Sequence, residues 1–399
     1  MDVAEGHIGR RVREVRSWRR LSLTAAAELA GMSASYLSLI ERGLRPVTKR
    51  STLESLARAL RVSPAELTGK PYAPTDPTSS DTHAAIPAIT DALSGWWIGE
   101  IPDSPPRPWP EISADLDRLY AHRATSDYAA QAALVPGLIR DLLAAVADPE
   151  HRRVALIGLI GTYYSGGMIG GRLGFHGMPA LGVEQMRKAA EELDDPAWNG
   201  IAAWARAHLM SGANRRRQYE LATAVADTTG ARPEVRGMGN LTAALAAAAQ
   251  GQDDTAQTHL MEAASHAESI EADVSQWSGN VDLQFGRTNV GIWQVAIGVE
   301  LGHGARVAEV ASTVRPETIN RSRQCAFWLD YGRGLLAERK TRERGLAAML
   351  RAEKLAPQQV RTNVFAREAV TGLLTTSQRE AGGRELRGLA YRMGIPPTG

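Results

Sequence analysis

Cysteine is almost absent from this chain of 399 residues, which holds only Cys325. A single thiol can form neither an intrachain disulfide nor a metal site built from several cysteines. One cysteine is typical of a protein in the reducing cytoplasm, where disulfides are rare. The arginine-rich start also lacks the run of about 7 to 15 apolar residues found in a secretory signal. We therefore expect a cytoplasmic protein.

Long apolar runs are equally scarce, and residues 154–171 form the one segment that needs testing as a membrane span. The segment carries no charge over 18 residues, but it contains six glycines, two tyrosines, a threonine and a serine. A spanning helix needs about 20 predominantly apolar residues, and this one is only weakly apolar. We expect no membrane association.

Catalytic motifs are missing as well. The glycines between residues 158 and 171 follow no strand pattern and precede no Gly-Lys-Ser/Thr, which excludes a phosphate-binding loop. The nine histidines include no His-Glu-x-x-His motif and no pair at metal-ligand spacing beside carboxylates. We expect no enzymatic activity, no cofactor and no metal site.

Charge is distributed unevenly along the chain, although the net charge is only +2. The first 70 residues hold 13 Lys/Arg against 7 Asp/Glu, whereas the remainder holds 33 against 37. A basic end attracts and steers a polyanion. The sequence therefore predicts that nucleic acid binds at the N-terminal end.

Length and composition predict two folded units. The chain exceeds the usual size of one core, and its 44% apolar and 23% charged residues are typical of globular proteins. Residues 71–82 contain three prolines among small polar residues, which is the composition of a linker. We predict a small domain at residues 1–70, a linker at 71–83 and a large domain at 84–399.

Apolar spacing predicts an all-α fold, because the large domain repeats small and apolar residues at i, i+3 and i+4 and shows no convincing alternating strands. Alanine-rich helix pairs with short connections indicate a tetratricopeptide-like solenoid, and an irregular helical bundle is the alternative.

Residues 271–288 break the helical pattern. We interpret them as a simple connection and not as a gating loop over a groove. The predicted helices cover residues 128–146, 183–193, 197–210, 241–250, 256–269, 290–301, 327–337 and 346–355.

Residues 21–43 carry the most specific pattern in the chain. Ser22 is a good N-cap for a helix over residues 23–30, and Gly31 follows where a tight turn favours positive φ. Ser33 caps a second helix over 34–41, which Gly43 ends. Two short helices joined by such a turn form a helix-turn-helix motif.

The second helix should present its outward side to the major groove of duplex DNA. Serine hydroxyls can bond several base edges, and apolar side chains can pack on thymine methyl groups. The basic residues after the helix should contact phosphates, with a solvated basic loop as the alternative. The predicted reading residues are Ser33, Ala34, Ser35, Ser38 and Leu39, and the predicted phosphate contacts are Arg42, Arg45, Lys49 and Arg50.

Residues 8–69 resemble the Cro and phage-repressor class of helix-turn-helix domains, which is called the XRE family. Three stretches carry the resemblance: RRVREVRSWRRLS, the two-helix motif that ends in YLSLIERG, and LRPVTKRSTLESLARALRVSPAEL. The resemblance implies a five-helix domain, an Arg16–Glu41 ion pair and a homodimer on an inverted-repeat operator. The resemblance also places Tyr36 at a position that often contacts the DNA backbone in this family, although packing in the core would account equally well for an aromatic residue there. Leu23 replaces the family's usual Gln, which puts that phosphate contact in doubt.

Residues 285–311 and 351–361 resemble the helical C-terminal regions of long XRE-type regulators from actinobacteria, with Arg287 in place of the usual proline. Five lysines against 41 arginines suit such a GC-rich source. Quorum-sensing regulators combine a DNA-binding domain with a helical solenoid that binds a peptide. The comparison with this chain is an analogy between folds alone. We expect a concave groove for a small-molecule or peptide effector.

Amides and large aromatic rings are the candidate effector contacts, since amides can hold a peptide backbone and rings can form apolar walls. Surface or capping roles for each Asn and core packing for each Trp are the alternatives. The candidates are Asn240, Trp277, Phe285, Asn289, Trp293, Trp328 and Asn363.

Together these patterns predict a cytoplasmic, nucleoid-associated transcription regulator that responds to an effector. Two other functions remain: a constitutive DNA-binding protein whose helical domain is a protein-interaction scaffold, and an enzyme with a DNA-binding head.

Overall fold

The computed structural model describes residues 7–70, 77–100, 102, 105–210, 214–275, 277, 281, 283–377 and 383–395. Over these ranges the protein is all-helical and contains no strand, which confirms the predicted fold class. The N-terminal helix-turn-helix domain contains five helices. They are α1 (Ile8–Trp18), α2 (Leu23–Leu29), α3 (Ala34–Glu41), α4 (Arg50–Ala59) and α5 (Pro64–Thr68).

The helical domain follows with seventeen further α-helices in the described ranges. They are α6 (Pro77–Ala84), α7 (Ile86–Ser94), α8 (Trp109–Ala124), α9 (Tyr128–Ala145), α10 (Arg152–Leu173), α11 (Gly177–Leu193), α12 (Pro196–Leu209), α13 (Arg215–Ala226), α14 (Pro233–Ala248), α15 (Asp253–Glu268), α16 (Arg287–Leu301), α17 (Val307–Ala311), α18 (Arg321–Leu336), α19 (Arg342–Leu355), α20 (Pro357–Arg361), α21 (Val364–Ser377) and α22 (Arg384–Arg392).

Neighbours in sequence are also neighbours in space throughout the helical domain. The most extensive contacts join α10 to α11, α14 to α15, α18 to α19 and α13 to α14. One large core extends from Ile86 on α7 to Ile297 on α16. Consecutive packing of this kind positions side chains from many helices around the centre of the domain.

Helix α10 contains the uncharged segment that the sequence raised as a possible membrane span. It is the one single helix in the described residues that is long and apolar enough for that test; α2 and α3 pass only if counted together as one bent span. Within the fold, 78% of the apolar window of α10 is buried. Gly167 and Gly182 let α10 and α11 approach closely, because a β-carbon at Gly182 would lie 2.7 Å from the Tyr163 carbonyl oxygen. The glycines therefore serve helix packing.

The predicted linker contains a helix. Residues 71–76 lie outside the described ranges, but Pro77–Ala84 forms α6, which packs on α9. Thr82 is buried and donates its hydroxyl to the Thr78 carbonyl oxygen. Proline at the first helical position is compatible with helix, and tertiary packing has overridden the weak propensity of the serines and threonines.

Residues 271–275 and 283–286 belong to the connection between α15 and α16, and Val274, Ser275, Leu283 and Phe285 are buried. Residues 276, 278–280 and 282 lie outside the described ranges. The Ser275 amide donates to the Phe285 carbonyl oxygen at 2.7 Å. Phe285 is fully buried against Gly237, where a β-carbon would lie 2.0 Å from the ring. Phe285 is therefore a core residue.

Candidate nucleic-acid interface

The helix-turn-helix motif has the predicted caps. The Ser22 hydroxyl accepts from the Ala25 amide at 3.1 Å, and the Ser33 hydroxyl accepts from the Tyr36 amide at 3.2 Å. Gly31 and Gly43 have φ of +67° and +70°, the left-handed region that favours glycine. The axes of α2 and α3 meet at 105°. Local chemistry alone accounts for the geometry of the motif.

The ion pair implied by the family resemblance is confirmed. Arg16 on α1 donates from Nε and Nη2 to the two carboxylate oxygens of Glu41 at 2.6 and 2.8 Å. Arg16 also donates to the Leu21 carbonyl oxygen at 3.0 Å. This bidentate contact fixes the end of α3 against α1, so both residues are structural.

The reading side of α3 is accessible to a DNA duplex. Ser33 and Ser35 are exposed and their hydroxyls lie 3.1 Å apart, while Ser38 and Leu39 are half-buried. Leu37 and Ile40 face the core. An exposed serine pair followed by an apolar side chain can contact base edges and thymine methyl groups.

Two predicted contacts of α3 pack inward more than expected. Ala34 and Tyr36 are half-buried and contact the core of the helix-turn-helix domain. The Tyr36 ring also lies 6.0 Å from the Arg45 guanidinium. Packing therefore accounts for the Tyr36 ring, and the ring in turn supports an exposed arginine.

The four predicted phosphate contacts separate into two pairs. Arg42 and Arg45 are exposed beside α3. Lys49 and Arg50 instead face the helical domain: Lys49 Nζ lies against Gly302, and Arg50 donates from Nη1 to Glu300 at 2.6 Å. A carboxylate 250 residues further along the chain thus pairs with the Arg50 guanidinium, which was predicted to contact phosphate.

Arg50 belongs to a buried cluster between the two domains, which we call the inter-domain cluster: Arg50, Glu300, Arg333 and Phe365. Glu300 accepts from the Arg50 amide at 2.8 Å and from Arg333 Nη2 at 3.2 Å. Arg333 also donates to the Thr48 carbonyl oxygen. The guanidinium groups of Arg50 and Arg333 lie 5.4 and 4.8 Å from the centre of the Phe365 ring. The neighbouring arginines lower the pKa of Glu300 despite burial, which by itself raises it.

Two further carboxyl groups take part in contacts between the domains. Glu368 on α21 is buried and accepts from the Ile8 amide at 2.7 Å and from the Val47 amide. Glu54 on α4 pairs with Arg215 on α13 at 2.8 Å. Side-chain oxygens of Glu368 and Glu300 in the helical domain thus accept from the first amides of α1 and α4.

The seven candidate effector residues do not form one site. Only Asn289 and Trp293 meet, at a cleft in the centre of the helical domain. Asn363 caps α21 by accepting from the Ala366 amide, and Asn240 Oδ1 accepts from His259 Nδ1. Trp277 packs beneath Arg232, and Trp328 packs beneath Arg351. These four residues, together with Phe285, have capping or packing roles.

Sequence reasoning missed the residues that carry charge into the interior, above all Glu300, Arg333 and Glu368. The sequence does contain a feature that indicates a buried role for Glu300. It is the only charged residue of α16 after the first position, and acidic residues are almost never buried without a partner. The sequence does not reveal which basic residue is that partner.

One exposed group has the composition of a metal site. Asp148, Glu150 and His151 offer ligand atoms within 4.8 Å of one another at the turn before α10. Asp148 already accepts from the Glu150 amide at 3.0 Å and bonds the His151 ring at 2.6 Å. These bonds account for the cluster as a turn that precedes a helix.

Comparison with known families agrees with this geometry at the N-terminal end. Residues 7–68 match the family model described as a helix-turn-helix domain. No curated protein and no solved structure matches the chain. The match and the exposed reading side indicate DNA-binding regulation.

Proposed function

We propose that this protein is a sequence-specific transcription regulator whose affinity for its operator changes when the helical domain binds a small effector. The regulator acts as a homodimer on an inverted repeat in the cytoplasm, in association with the nucleoid, and has no enzymatic activity. The helix-turn-helix match, the exposed serines of α3 and the exposed Arg42 and Arg45 support the DNA-binding part. The XRE resemblance supports the dimer.

One observation carries the effector-responsive part: α16 and α18 each contact both the central cleft and the helix-turn-helix domain. On α16, Trp293 lines the cleft and Glu300 binds Arg50. On α18, Arg323 lines the cleft and Arg333 donates to the carbonyl oxygen of Thr48 in the helix-turn-helix domain. At about 1.5 Å per residue, these positions lie about 10 and 15 Å apart along their helices. A shift of either helix at the cleft therefore moves the inter-domain cluster.

Such a shift changes DNA affinity only if the effector binds one arrangement of the two domains better than the other. The inter-domain cluster is suited to that role because Glu300 and Arg333 are buried and the pairing of the charged groups depends on close geometry. Arg50 begins α4 and lies eight residues beyond Arg42. Moving Arg50 therefore changes the support of the basic segment beside the reading helix.

The test begins with the operator, which selection from a random duplex library identifies. Operator affinity is then measured with and without the small-molecule fraction of a culture extract, at fixed salt concentration. We expect the fraction to change wild-type affinity severalfold and to have a much smaller effect on Glu300→Gln. Glu192→Gln, at an exposed pair with Arg152, is the matched control. Equal affinity with and without the fraction would contradict the effector-responsive function.

A second candidate function is supported by a groove of about 830 Å³ between α11, α12 and α13. Val183, Ala202 and Leu221 lie on its apolar surface, and Glu184 and Arg187 lie at its charged margin. A groove of this kind suits an amphipathic helix. If the helical domain is a protein scaffold, operator binding is constitutive and the extract fraction has no effect.

A further inference from the structure

Five consecutive residues that follow the reading helix, 46–50, all contact the helical domain, and we call them the α3–α4 segment. Their partners lie on α18, on α21, and on α16 or directly after it. The pairs are Pro46 with Gly372, Val47 with Glu368, Thr48 with Arg333, Lys49 with Gly302, and Arg50 with Glu300. Both backbone groups and side chains take part, so the helical domain fixes the course of the whole segment.

Both cations of the α3–α4 segment are held in these contacts. Lys49 Nζ would lie 2.3 Å from a β-carbon at Gly302, the residue that ends α16, where the helix dipole favours a positive charge. The Arg50 guanidinium donates to Glu300 at 2.6 Å. Basic residues that follow a reading helix are placed to contact the DNA backbone. In this arrangement the helical domain engages both of them.

Glu300 binds Arg50 as a phosphate group would. Glu300 Oε2 accepts from the Arg50 backbone amide at 2.8 Å, and Oε1 accepts from the Arg50 guanidinium at 2.6 Å. A DNA phosphate offers the same kind of oxygen to the first amide of a helix and to a guanidinium beside it. Arg50 begins α4, a helix of ten residues. Because one anion fills these donors, Glu300 excludes a phosphate from the start of α4.

The carboxylate of Glu300 also repels a phosphate that approaches α4. Arg50 and Arg333 lower the pKa of Glu300 despite its burial, so the group is ionised at neutral pH. Two anions a few ångströms apart repel each other, and the repulsion is strongest where little water separates them. A phosphate therefore gains access to Arg50 only when Glu300 moves away.

We infer that the helical domain covers a phosphate-binding surface formed by Lys49, the Arg50 guanidinium and the first amide of α4, and that a DNA phosphate replaces Glu300 there when the domains separate. The arrangement in this structure is therefore the state of lower DNA affinity. This inference rests on the proposed function, because it specifies the direction of the regulation. An effector that separates the domains increases operator affinity.

The first test removes the competing anion. Operator affinity of the full chain is measured by fluorescence anisotropy over a salt series, without the extract fraction. We expect Glu300→Gln to bind tenfold or more tightly than wild type. The slope of log affinity against log salt concentration should steepen by about 2, because two more cations reach phosphates. Glu192→Gln removes an equal charge from an exposed pair with Arg152 and should change neither quantity. Unchanged or weaker binding by folded Glu300→Gln would overturn the inference.

A double variant assigns the gain to Arg50. In the Glu300→Gln background, Arg50→Ala should remove most of the gain in affinity and lower the salt slope by about 1. The same substitution should cost less slope in the wild-type background, where Glu300 fills the guanidinium. Equal losses in the two backgrounds would show that Glu300 does not keep Arg50 from the DNA, and the inference would fail.

A second variant separates the domains without changing any charge, which keeps the inference testable if Glu300→Gln does not fold. Gly372→Leu places a side chain on α21 where the β-carbon alone would lie 3.0 Å from the Pro46 ring, so the α3–α4 segment has to move away. Gly137→Leu is the matched control, because a β-carbon at this glycine of α9 meets no atom within 4 Å. We expect Gly372→Leu to raise operator affinity and salt slope, and Gly137→Leu to leave both unchanged. Folded Gly372→Leu with no gain over Gly137→Leu would overturn the inference.

Failure of this inference can be told apart from failure of the proposed function. If the extract fraction changes wild-type affinity but neither Glu300→Gln nor Gly372→Leu raises it, the effector-responsive function stands and the covered phosphate surface is wrong. If both variants bind more tightly but the fraction never changes wild-type affinity, the covered surface stands and the effector-responsive function is wrong.

Discussion

The reading motif is capped by neighbouring residues alone, whereas α1 and α4 also bond carboxyl groups of the helical domain. Helix α1 has a local cap as well, since His7 Nδ1 accepts from the Arg10 amide at 3.2 Å. Ser22 and Ser33 cap α2 and α3 from the preceding residue. By contrast, Glu368 and Glu300 of the helical domain accept from the first amides of α1 and α4. Lys49, the residue before α4, makes no side-chain cap of its own.

This difference indicates which parts of the DNA-binding domain can respond to the rest of the protein. The geometry of α2 and α3 follows from neighbouring residues and should stay the same in every state. The positions of α1 and α4 depend on carboxylates of another domain. A signal from the helical domain should therefore reorient the reading motif as a unit without changing its internal shape.

The largest expected effect comes from Glu300→Gln. Removing one partner of a buried ion cluster costs about 3 to 5 kcal/mol, and we expect about 3 kcal/mol because Asp330 still pairs with Arg333. Urea unfolding of the full chain measures the loss, with Glu192→Gln as the exposed control. If both variants lose the same stability, the inter-domain cluster does not hold the domains together.

The next effect concerns pH and Glu368. Burial raises the pKa of Glu368 from its ordinary value of 4.5 to about 7, against the opposing effect of the Ile8 and Val47 amides. The folded protein therefore keeps a proton that the unfolded chain has released. Between about pH 4.5 and 7 this group lowers stability as pH rises, by up to about 1.4 kcal/mol per pH unit.

Glu368→Gln should remove this dependence, because glutamine does not titrate and still offers an acceptor oxygen to the amides. The measurement is the free energy of unfolding of wild type and variant across that range. We expect the wild type to lose more stability than the variant as pH rises. Parallel curves would show that Glu368 does not carry a proton in the folded state.

The contrast in caps also explains how far sequence reasoning reached. The serine caps, the glycine turns and the reading helix depend on neighbours within a few residues, so the pattern of residues 21–43 predicts them closely. In the helical domain the predicted helix ends at 193, 301 and 355 match the structure. Several helices begin up to about two turns earlier than predicted. For example, the helix expected from residue 241 begins at Pro233. The first turns were missed because they are often polar or begin at proline.

The contacts between domains could not be predicted in the same way. Arg50 and Glu300 are separated by 250 residues, and nothing local distinguishes Arg50 from Arg45. The cleft presents the same difficulty, since Arg123, Arg172 and Arg323 come from separate helices. Their meeting depends on how helices pack, which apolar spacing alone does not specify.

A smaller effect separates Arg45 from Arg50 on DNA. Arg45→Ala should lower the slope of log affinity against log salt concentration by about 1, because one phosphate contact is lost across all sequences. Arg50→Ala should leave that slope unchanged, since Glu300 occupies its guanidinium. Fluorescence anisotropy over a salt series measures both. An equal loss of slope would mean that Arg50 leaves Glu300 and binds a phosphate when DNA binds. Glu300 and the DNA phosphates would then compete for the Arg50 guanidinium.

The smallest effect tests the reading side itself. Ser35→Ala removes a hydroxyl that lies 3.1 Å from that of Ser33, while Ser33 still caps the Tyr36 amide, so the helix should remain intact. A lost hydrogen bond to a base edge should change preference at one operator position by about 1 kcal/mol. Binding-site selection compares this variant with Ser94→Ala, which removes an exposed serine hydroxyl far along the chain on α7. Because α3 is capped within its own domain, the change should appear in base preference and not in stability. Unchanged preference would place the base contacts on a different side of α3.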